Sequence, residues 1–203
     1  MAEWAAKEIR GFRIHERHLD RAAQLALVED VRGIARAAPF LVPVTRRGTE
    51  MSVRMTSAGA FGWITDRRGY RYEPRHPSGV DWPPIPARVL DIWRGLVPEA
   101  RMPESCLVNW YRPEARMGMH QDRDEADMTQ PVVSVSLGDD ALFRIGNEER
   151  GGRTESVWLH SGDVVVMGGT ARRRHHGIDR IKPGTSDLLD APGRINLTLR
   201  VVT

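Results

Sequence analysis

Cysteine and lysine are nearly missing from this sequence, and long apolar runs are missing altogether. One cysteine, Cys106, among 203 residues excludes an internal disulfide and suits a reducing cytosol. No stretch approaches the roughly 20 apolar residues of a membrane span, so no membrane partner is expected. Met1-Ala2-Glu3-Trp4 lacks a charged n-region followed by an apolar h-region, which predicts no secretory signal and a cytoplasmic location. Repeats, low-complexity tracts and linkers long enough to divide domains are absent too.

The scarcity of lysine leaves arginine as the cation. Lys7 and Lys182 are the only lysines among 30 basic residues, and with 27 acidic residues the net charge is +3. Arginine binds phosphates and carboxylates in a bidentate fork. A GC-rich coding bias produces the same composition, so charge permits nucleic acid as a partner without requiring it.

A chain of this length with 40% hydrophobic residues supports one buried core, and a single domain is the expectation. Leu19, Ala22, Ala23, Ala26, Leu27, Val31 and Ile34 recur at helical spacing and predict a helix over about 18–37, stopped by Pro39. A second helix is predicted from Pro86, in the first turn, to Val97, with Pro98 just past its end. Residues 40–82 read as short strands and turns rich in arginine, glycine and aromatics.

From Cys106 onward the pattern is β. Strand candidates are Val132–Gly138, Ala141–Ile145, Ser156–Leu159, Asp163–Met167 and Ile195–Val202, separated by Gly and Asp turns. Many short strands in one block predict a sandwich or jelly roll rather than βαβ units. In the last strand, alternation puts Arg194, Asn196, Thr198 and Arg200 on one face and Ile195, Leu197, Leu199 and Val201 on the other. A polar face of that kind meets either solvent or a polar cavity.

The chemistry-bearing residues are few. His120 and Asp122 stand two apart, so on a strand or its fraying end both side chains project to the same side. His176 lies far downstream. Two histidines and one carboxylate cover one face of an iron(II) ion and leave other positions open for reactants. Taken alone, His-x-Asp also fits a surface turn carrying a charged pair. The segment from Met51 to Tyr72 mixes arginines with Trp63, Tyr70 and Tyr72. Such a mixture suits base stacking and phosphate contacts, or a hairpin whose aromatics pack on the barrel.

Set in order, these motifs resemble the AlkB-type Fe(II)- and 2-oxoglutarate-dependent dioxygenases, which repair alkylated nucleic acids. The resemblance runs from about Met51 to the end of the chain. It rests on Asn109-Trp110-Tyr111, Met119 before His120-Gln121-Asp122-Arg123-Asp124-Glu125, Pro131 to Gly138, Gly162-Asp163-Val164-Val165-Val166, His176-Gly177-Ile178 and Arg194 to Arg200. It implies an α+β, mainly β fold: a double-stranded β-helix of the jelly-roll type, about 105–203. An N-terminal helical extension (about 1–50) and a nucleotide-recognition lid (about 51–82) would precede it.

The same resemblance makes His120, Asp122 and His176 the iron ligands. His175 competes with His176, but alternation aims it at the opposite face, and Gly-Ile follows the family's ligand. Arg194 would take the distal carboxylate of 2-oxoglutarate. Arg200, roughly 20 Å farther along an extended strand, would sit nearer the metal and its carboxylates, with Asn109, Tyr111 and Asn196 as supporting hydrogen-bonding groups. Trp63, Tyr70, Arg71, Tyr72, Asp124 and Arg150 are the implied substrate contacts, Asp124 meeting the exocyclic amino group of adenine or cytosine. Asn109, Tyr111 and Asp124 also fit ordinary polar positions at strand ends and in charged runs. Met167 and Arg173-Arg174-His175 depart from the family's pattern, which bears on substrate range rather than on reaction type.

The implied activity is oxidative demethylation of 1-methyladenine- and 3-methylcytosine-type lesions. It consumes O2 and 2-oxoglutarate and releases succinate, carbon dioxide and formaldehyde. The implied partner is alkylated DNA, with RNA as the second nucleic acid, presented as a single strand or a flipped base to a monomeric enzyme. A hydroxylase of proteins or small molecules, or a jelly-roll module that only binds nucleic acid, are the competing readings.

Overall fold

The computed structural model describes residues 6–203. Its elements run β1 (Lys7–Ile9), β2 (Phe12–His15), α1 (Arg21–Ala37), β3 (Arg54–Gly59), β4 (Gly62–Asp66), β5 (Gly69–Glu73), α2 (Ala87–Leu96) and β6 (Ser105–Tyr111). They continue with β7 (Met117–His120), β8 (Val132–Gly138), β9 (Asp140–Ile145), β10 (Glu155–Leu159) and β11 (Val164–Met167). A 3-10 turn (Gly169–Arg173), β12 (His176–Lys182) and β13 (Arg194–Arg200) complete the chain. Among the described residues, no helix is long and apolar enough to cross a membrane.

Two antiparallel sheets form the body. The larger is ordered β1-β2-β11-β8-β13-β6-β3, the smaller β10-β9-β12-β7, and β4 with β5 makes a separate hairpin. Side-chain alternation divides the core in two. Val133, Val135, Val164, Val166, Leu197 and Leu199 pack outward under α1 and α2 with Leu27, Val31, Ile92 and Trp93. Val132, Val165 and Met167 point the other way and meet Phe143, Ile145 and Ile178 of the smaller sheet. Because the large sheet is covered on both faces, β11 reads as an unbroken apolar run, while β8 alternates valine and leucine with Ser134 and Ser136, which face the polar residues of β13. The result is the jelly-roll architecture expected from the strand pattern.

Element ends follow local hydrogen bonding. The Asp20 side chain accepts from Ala23 N at 2.8 Å and caps α1, so the helix starts at Arg21 rather than at residue 18. Pro86 is the cap of α2, not its first turn: its backbone is extended and its carbonyl accepts from Val89 and Leu90. β13 stops at Arg200 because the Glu104 carboxylate takes the amides of Val202 and Thr203, both at 2.8 Å. Two further boundaries differ from expectation. The N-terminal part is not purely helical, since Phe12 and Ile14 of β2 are buried between the sheets and β2 pairs with β11. Residues 1–5 of that extension lie outside the described residues. Within 51–82, β3 is the edge strand of the large sheet and only β4–β5 stands apart.

One buried carboxylate seats the strand that carries most of the polar cavity wall. Asp139 is 2% exposed and accepts from the amides of Thr185, Ser186 and Gly193 at 2.9, 3.1 and 2.7 Å. Gly193 immediately precedes β13. Asp139→Ala strands one buried and two partly buried donors and is expected to cost about 2–3 kcal/mol in urea unfolding. A loss below about 1 kcal/mol would mean that water replaces the carboxylate there.

Candidate metal centre and cosubstrate pocket

β7 and β12 are antiparallel neighbours, and their register sets His120 directly opposite His176. The imidazole centroids lie 4.6 Å apart. Asp122 follows two residues after His120, just beyond the strand, and swings its carboxylate between the rings. One oxygen is 3.6 Å from His120 Nε2 and the other 3.7 Å from His176 Nε2. Ligand atoms of the three residues all lie within 4.8 Å of one another. So close an approach needs Gly177, where a Cβ would sit 2.6 Å from the Met117 carbonyl oxygen and 2.8 Å from that of Gly118.

This donor set suits a metal ion. His120 Nδ1 lies 2.8 Å from the Gly118 carbonyl and His176 Nδ1 3.1 Å from the Arg174 carbonyl. Both therefore donate from Nδ1, and each Nε2 lone pair is left facing the centre, the usual arrangement of metal-binding imidazoles. Burial, reinforced by His120, lowers the His176 pKa to about 4, so no proton has to leave before it binds. Burial works to raise the Asp122 pKa, but Arg200 and then the two imidazoles outweigh it and hold the carboxyl below the ordinary carboxylate range. Arg200 Nη2 holds Asp122 Oδ1 at 3.0 Å, while Oδ2 is buried with no hydrogen-bond partner. An orphaned carboxylate oxygen between two imidazoles is the position a cation would fill. His175 is excluded from the set; its Nδ1 bonds the Asn147 carbonyl at 3.1 Å.

The triad lies on the wall of a cavity of about 840 Å³. The polar face of β13 is turned into it, with Arg194, Asn196, Thr198 and Arg200 all buried. Arg194 is 1% exposed, donates to Ser136 Oγ at 3.0 Å, and keeps Nε and Nη1 unpartnered. Its guanidinium sits 5.3 Å from the Tyr111 ring centroid. A buried guanidinium with unpartnered N–H donors fits a carboxylate, such as the distal group of 2-oxoglutarate. Asn196 is oriented by bonds to Ser134 Oγ (2.7 Å) and from Thr198 Oγ1 (2.9 Å). Asn109 Oδ1 is buried and unpartnered beside it.

At the mouth, Trp63 stacks on Tyr70 with centroids 5.4 Å apart and planes 17° from parallel, and its Nε1–H donates to Asp124 Oδ2 at 2.9 Å. Trp63, Tyr70, Asp124 and Arg150 line the cavity. Arg71 and Tyr72 do not. Arg71 projects from the other face of β5 and is held by Asp66 (2.8 Å) and Glu73 (2.6 Å). The Tyr72 hydroxyl donates to Glu125 at 2.5 Å. Met167 and His175 are part of the lining as well, so two of the chain's departures from the family pattern fall on the cavity wall.

Glu125 and Ser136 stand inside the motifs quoted above but have no assigned role there, and Arg172 stands outside them. Glu125 Oε2 meets Arg172 Nη2 at 3.1 Å and Oε1 meets Arg200 Nε at 3.2 Å, while Arg172 Nη1 donates to the Asp122 carbonyl at 2.6 Å. In sequence, Glu125 ends an Asp/Glu run and Arg172 opens an Arg run, which is how solvated faces look. No spacing signal marks residues in irregular segments.

Two antiparallel sheets that enclose a two-histidine, one-carboxylate set and a deep arginine define a non-haem iron oxygenase. Comparison with known proteins agrees. Residues 11–200 match the family described as the 2OG-Fe(II) oxygenase superfamily. The chain is 53% identical over 191 residues to an alpha-ketoglutarate-dependent dioxygenase AlkB homolog of Caulobacter vibrioides, covering 94% of this chain and 87% of that protein. It is 40% identical over 180 residues to the alpha-ketoglutarate-dependent dioxygenase AlkB of Escherichia coli, covering 86% and 82%. The solved structure of OsALKBH1 superposes with a TM-score of 0.82 at 31% identity, over 97% of this chain and 99% of that one. The chain belongs to the 2OG-Fe(II) oxygenase superfamily and, within it, to the AlkB family.

Gly177→Ala tests the close approach that pairs the histidines. The added methyl is expected to cost about 1–3 kcal/mol of stability and to weaken Co(II) binding, a spectroscopic stand-in for iron, by about tenfold. Wild-type Co(II) affinity in this variant would show that β7 can yield without moving His120.

Proposed function

We propose that this enzyme removes methyl groups from N-alkylated nucleobases of the 1-methyladenine and 3-methylcytosine type, with alkylated DNA as the main substrate and RNA as the second. The reading rests above all on one observation: His120, Asp122 and His176 converge within 4.8 Å in the same cavity as Arg194 and its two unpartnered donors. When bound by the triad, Fe(II) supplies the activation of O2 that couples decarboxylation of 2-oxoglutarate to oxidation of the methyl group. Succinate, carbon dioxide and formaldehyde leave, and the base is restored.

The protein's own part is binding and orientation. Arg194, desolvated among Ser136 and Tyr111, binds the distal carboxylate of 2-oxoglutarate and so points its keto-acid end at the triad. Arg200 and Asn109 supply polar partners nearer the metal. Trp63 and Tyr70, on the β4–β5 hairpin, form the lid and take the base by stacking, each such contact being worth roughly 1–3 kcal/mol. Asp124 accepts the exocyclic amino N–H, and Arg150 at the mouth meets phosphate. A base inside a duplex cannot reach the triad, so the target is single-stranded or extruded. A methyl on the pairing edge lowers the cost of extrusion. The chain acts as a monomer in the cytoplasm; there its single cysteine, Cys106, is buried with a thiol pKa pushed up to about 12 by that burial and is chemically quiet.

Incubation of a 3-methylcytosine oligonucleotide with the enzyme, Fe(II), O2 and 2-oxoglutarate is expected to remove one methyl mass, read by mass spectrometry. No mass change on any N-methylated base would defeat the proposal. His120→Ala and Asp122→Ala are expected to abolish succinate formation, and normal turnover in either would contradict the iron assignment. Trp63→Ala is expected to depress oligonucleotide demethylation at least tenfold while sparing 2-oxoglutarate turnover without oligonucleotide. Equal loss of both rates would deny Trp63 a base-holding role.

A further inference from the structure

Tyr72 has the sequence signature of a substrate contact, yet its hydroxyl faces inward and bonds Glu125 Oε1 at 2.5 Å. Glu125 is 7% exposed, and both of its oxygens are engaged. Oε1 also lies 3.2 Å from Arg200 Nε, and Oε2 lies 3.1 Å from Arg172 Nη2. The two guanidiniums converge on one metal ligand. Arg200 Nη2 holds the Asp122 carboxylate at 3.0 Å, and Arg172 Nη1 holds the Asp122 main-chain carbonyl at 2.6 Å. Side chain and backbone of Asp122 are thus held by two cations, Arg172 hydrogen-bonded to Glu125 and Arg200 in ion-pair contact with it, outside hydrogen-bond geometry. Of the residues in this network, Tyr72 alone comes from the β4–β5 hairpin.

We infer that Tyr72 is a positioning residue that ties the hairpin to Glu125 and, through Arg200 and Arg172, sets the placement of Asp122 at the metal centre. The geometry gives it a defined task. Without the phenol, Glu125 Oε1 loses its hydroxyl donor in a place that water does not reach, and the carboxylate turns toward Arg200. Arg200 is then drawn off Asp122 Oδ1, and the ligand is free to rotate. Coupling of this kind is reciprocal: whatever seats the hairpin tightens the triad, and filling the triad steadies the hairpin. The inference rests on the proposed metal site but not on which base the enzyme repairs.

Co(II) titration followed by its visible absorption, with neither oligonucleotide nor 2-oxoglutarate present, separates this role from substrate contact. Tyr72→Phe, which removes one oxygen and keeps the ring, is expected to weaken Co(II) binding about fivefold and shift the absorption band, somewhat less than loss of a group directly bonded to a ligand. Glu125→Gln is expected to weaken it at least as much, and the double variant no more than Glu125→Gln alone, since the two act through one path. Unchanged Co(II) affinity in Tyr72→Phe, or additive losses in the double variant, would overturn the inference while leaving the metal site intact. Absence of Co(II) binding by the wild-type protein, or its persistence in His120→Ala, would instead overturn the metal assignment and this inference with it.

Discussion

The pairing of β7 with β12 is the contact on which the site depends, because it brings two imidazoles from residues 56 positions apart to the same point. Antiparallel register puts His120 and His176 face to face, and the missing side chain of Gly177 lets the two backbones close. Everything else arranges itself around that pair. The chain leaves β7 just after His120, so Asp122 is free of strand alternation and can turn its carboxylate between the rings. The 3-10 turn before β12 then delivers Arg172 beneath the loop that carries Asp122. A candidate metal centre results from two short strands and a tight crossing.

Charge balance around this pair is local. Asp122 and Glu125 face Arg172 and Arg200, two anions against two cations, all buried. Ion pairs so enclosed seldom add stability over an apolar filling, since desolvation consumes most of the attraction. Their value here is directional. Arg200 occupies one oxygen of Asp122 and leaves the other bare, which decides how many oxygens the carboxylate has to offer. Arg194 lies on the same face of the same strand and has no carboxylate among the described residues within ion-pair distance, so of the two buried arginines on β13 one is paired with carboxylates and the other is not.

Much of this was legible in the sequence, for reasons that differ from residue to residue. The two faces of β13 were plain, because Arg-Ile-Asn-Leu-Thr-Leu-Arg alternates without interruption and strand geometry has only two sides. The structure selects the cavity over solvent as the environment of its polar face. His120 and Asp122 stood out through their spacing, and His176 through the Gly-Ile that follows it. α1 and α2 were visible as apolar stripes. The first two strands were not, since Lys7–Ile9 and Phe12–His15 are too short to show a period and are joined at Arg10-Gly11, where both residues adopt positive φ. Glu125 and Arg172 were hidden because charged residues in irregular segments look solvated until the fold brings them together. The resemblance implies that Tyr72 faces the substrate with Tyr70, but Tyr72 bonds Glu125 while Tyr70 stacks on Trp63.

The central place of β13 bears on how the molecule comes into being. This strand lies between β8 and β6, yet it follows both of them, and every other described strand, in the sequence. Until it is in place, β8 and β6 both present unpaired edges, the kind of surface that recruits other chains. Closing that gap requires contacts across long sequence separations, which slows folding. It also creates the binding pocket in the same act, because Arg194, Asn196 and Arg200 enter with the strand. A nascent or partly folded copy therefore lacks the pocket for its small-molecule ligands, and those ligands stabilise only the finished sheet.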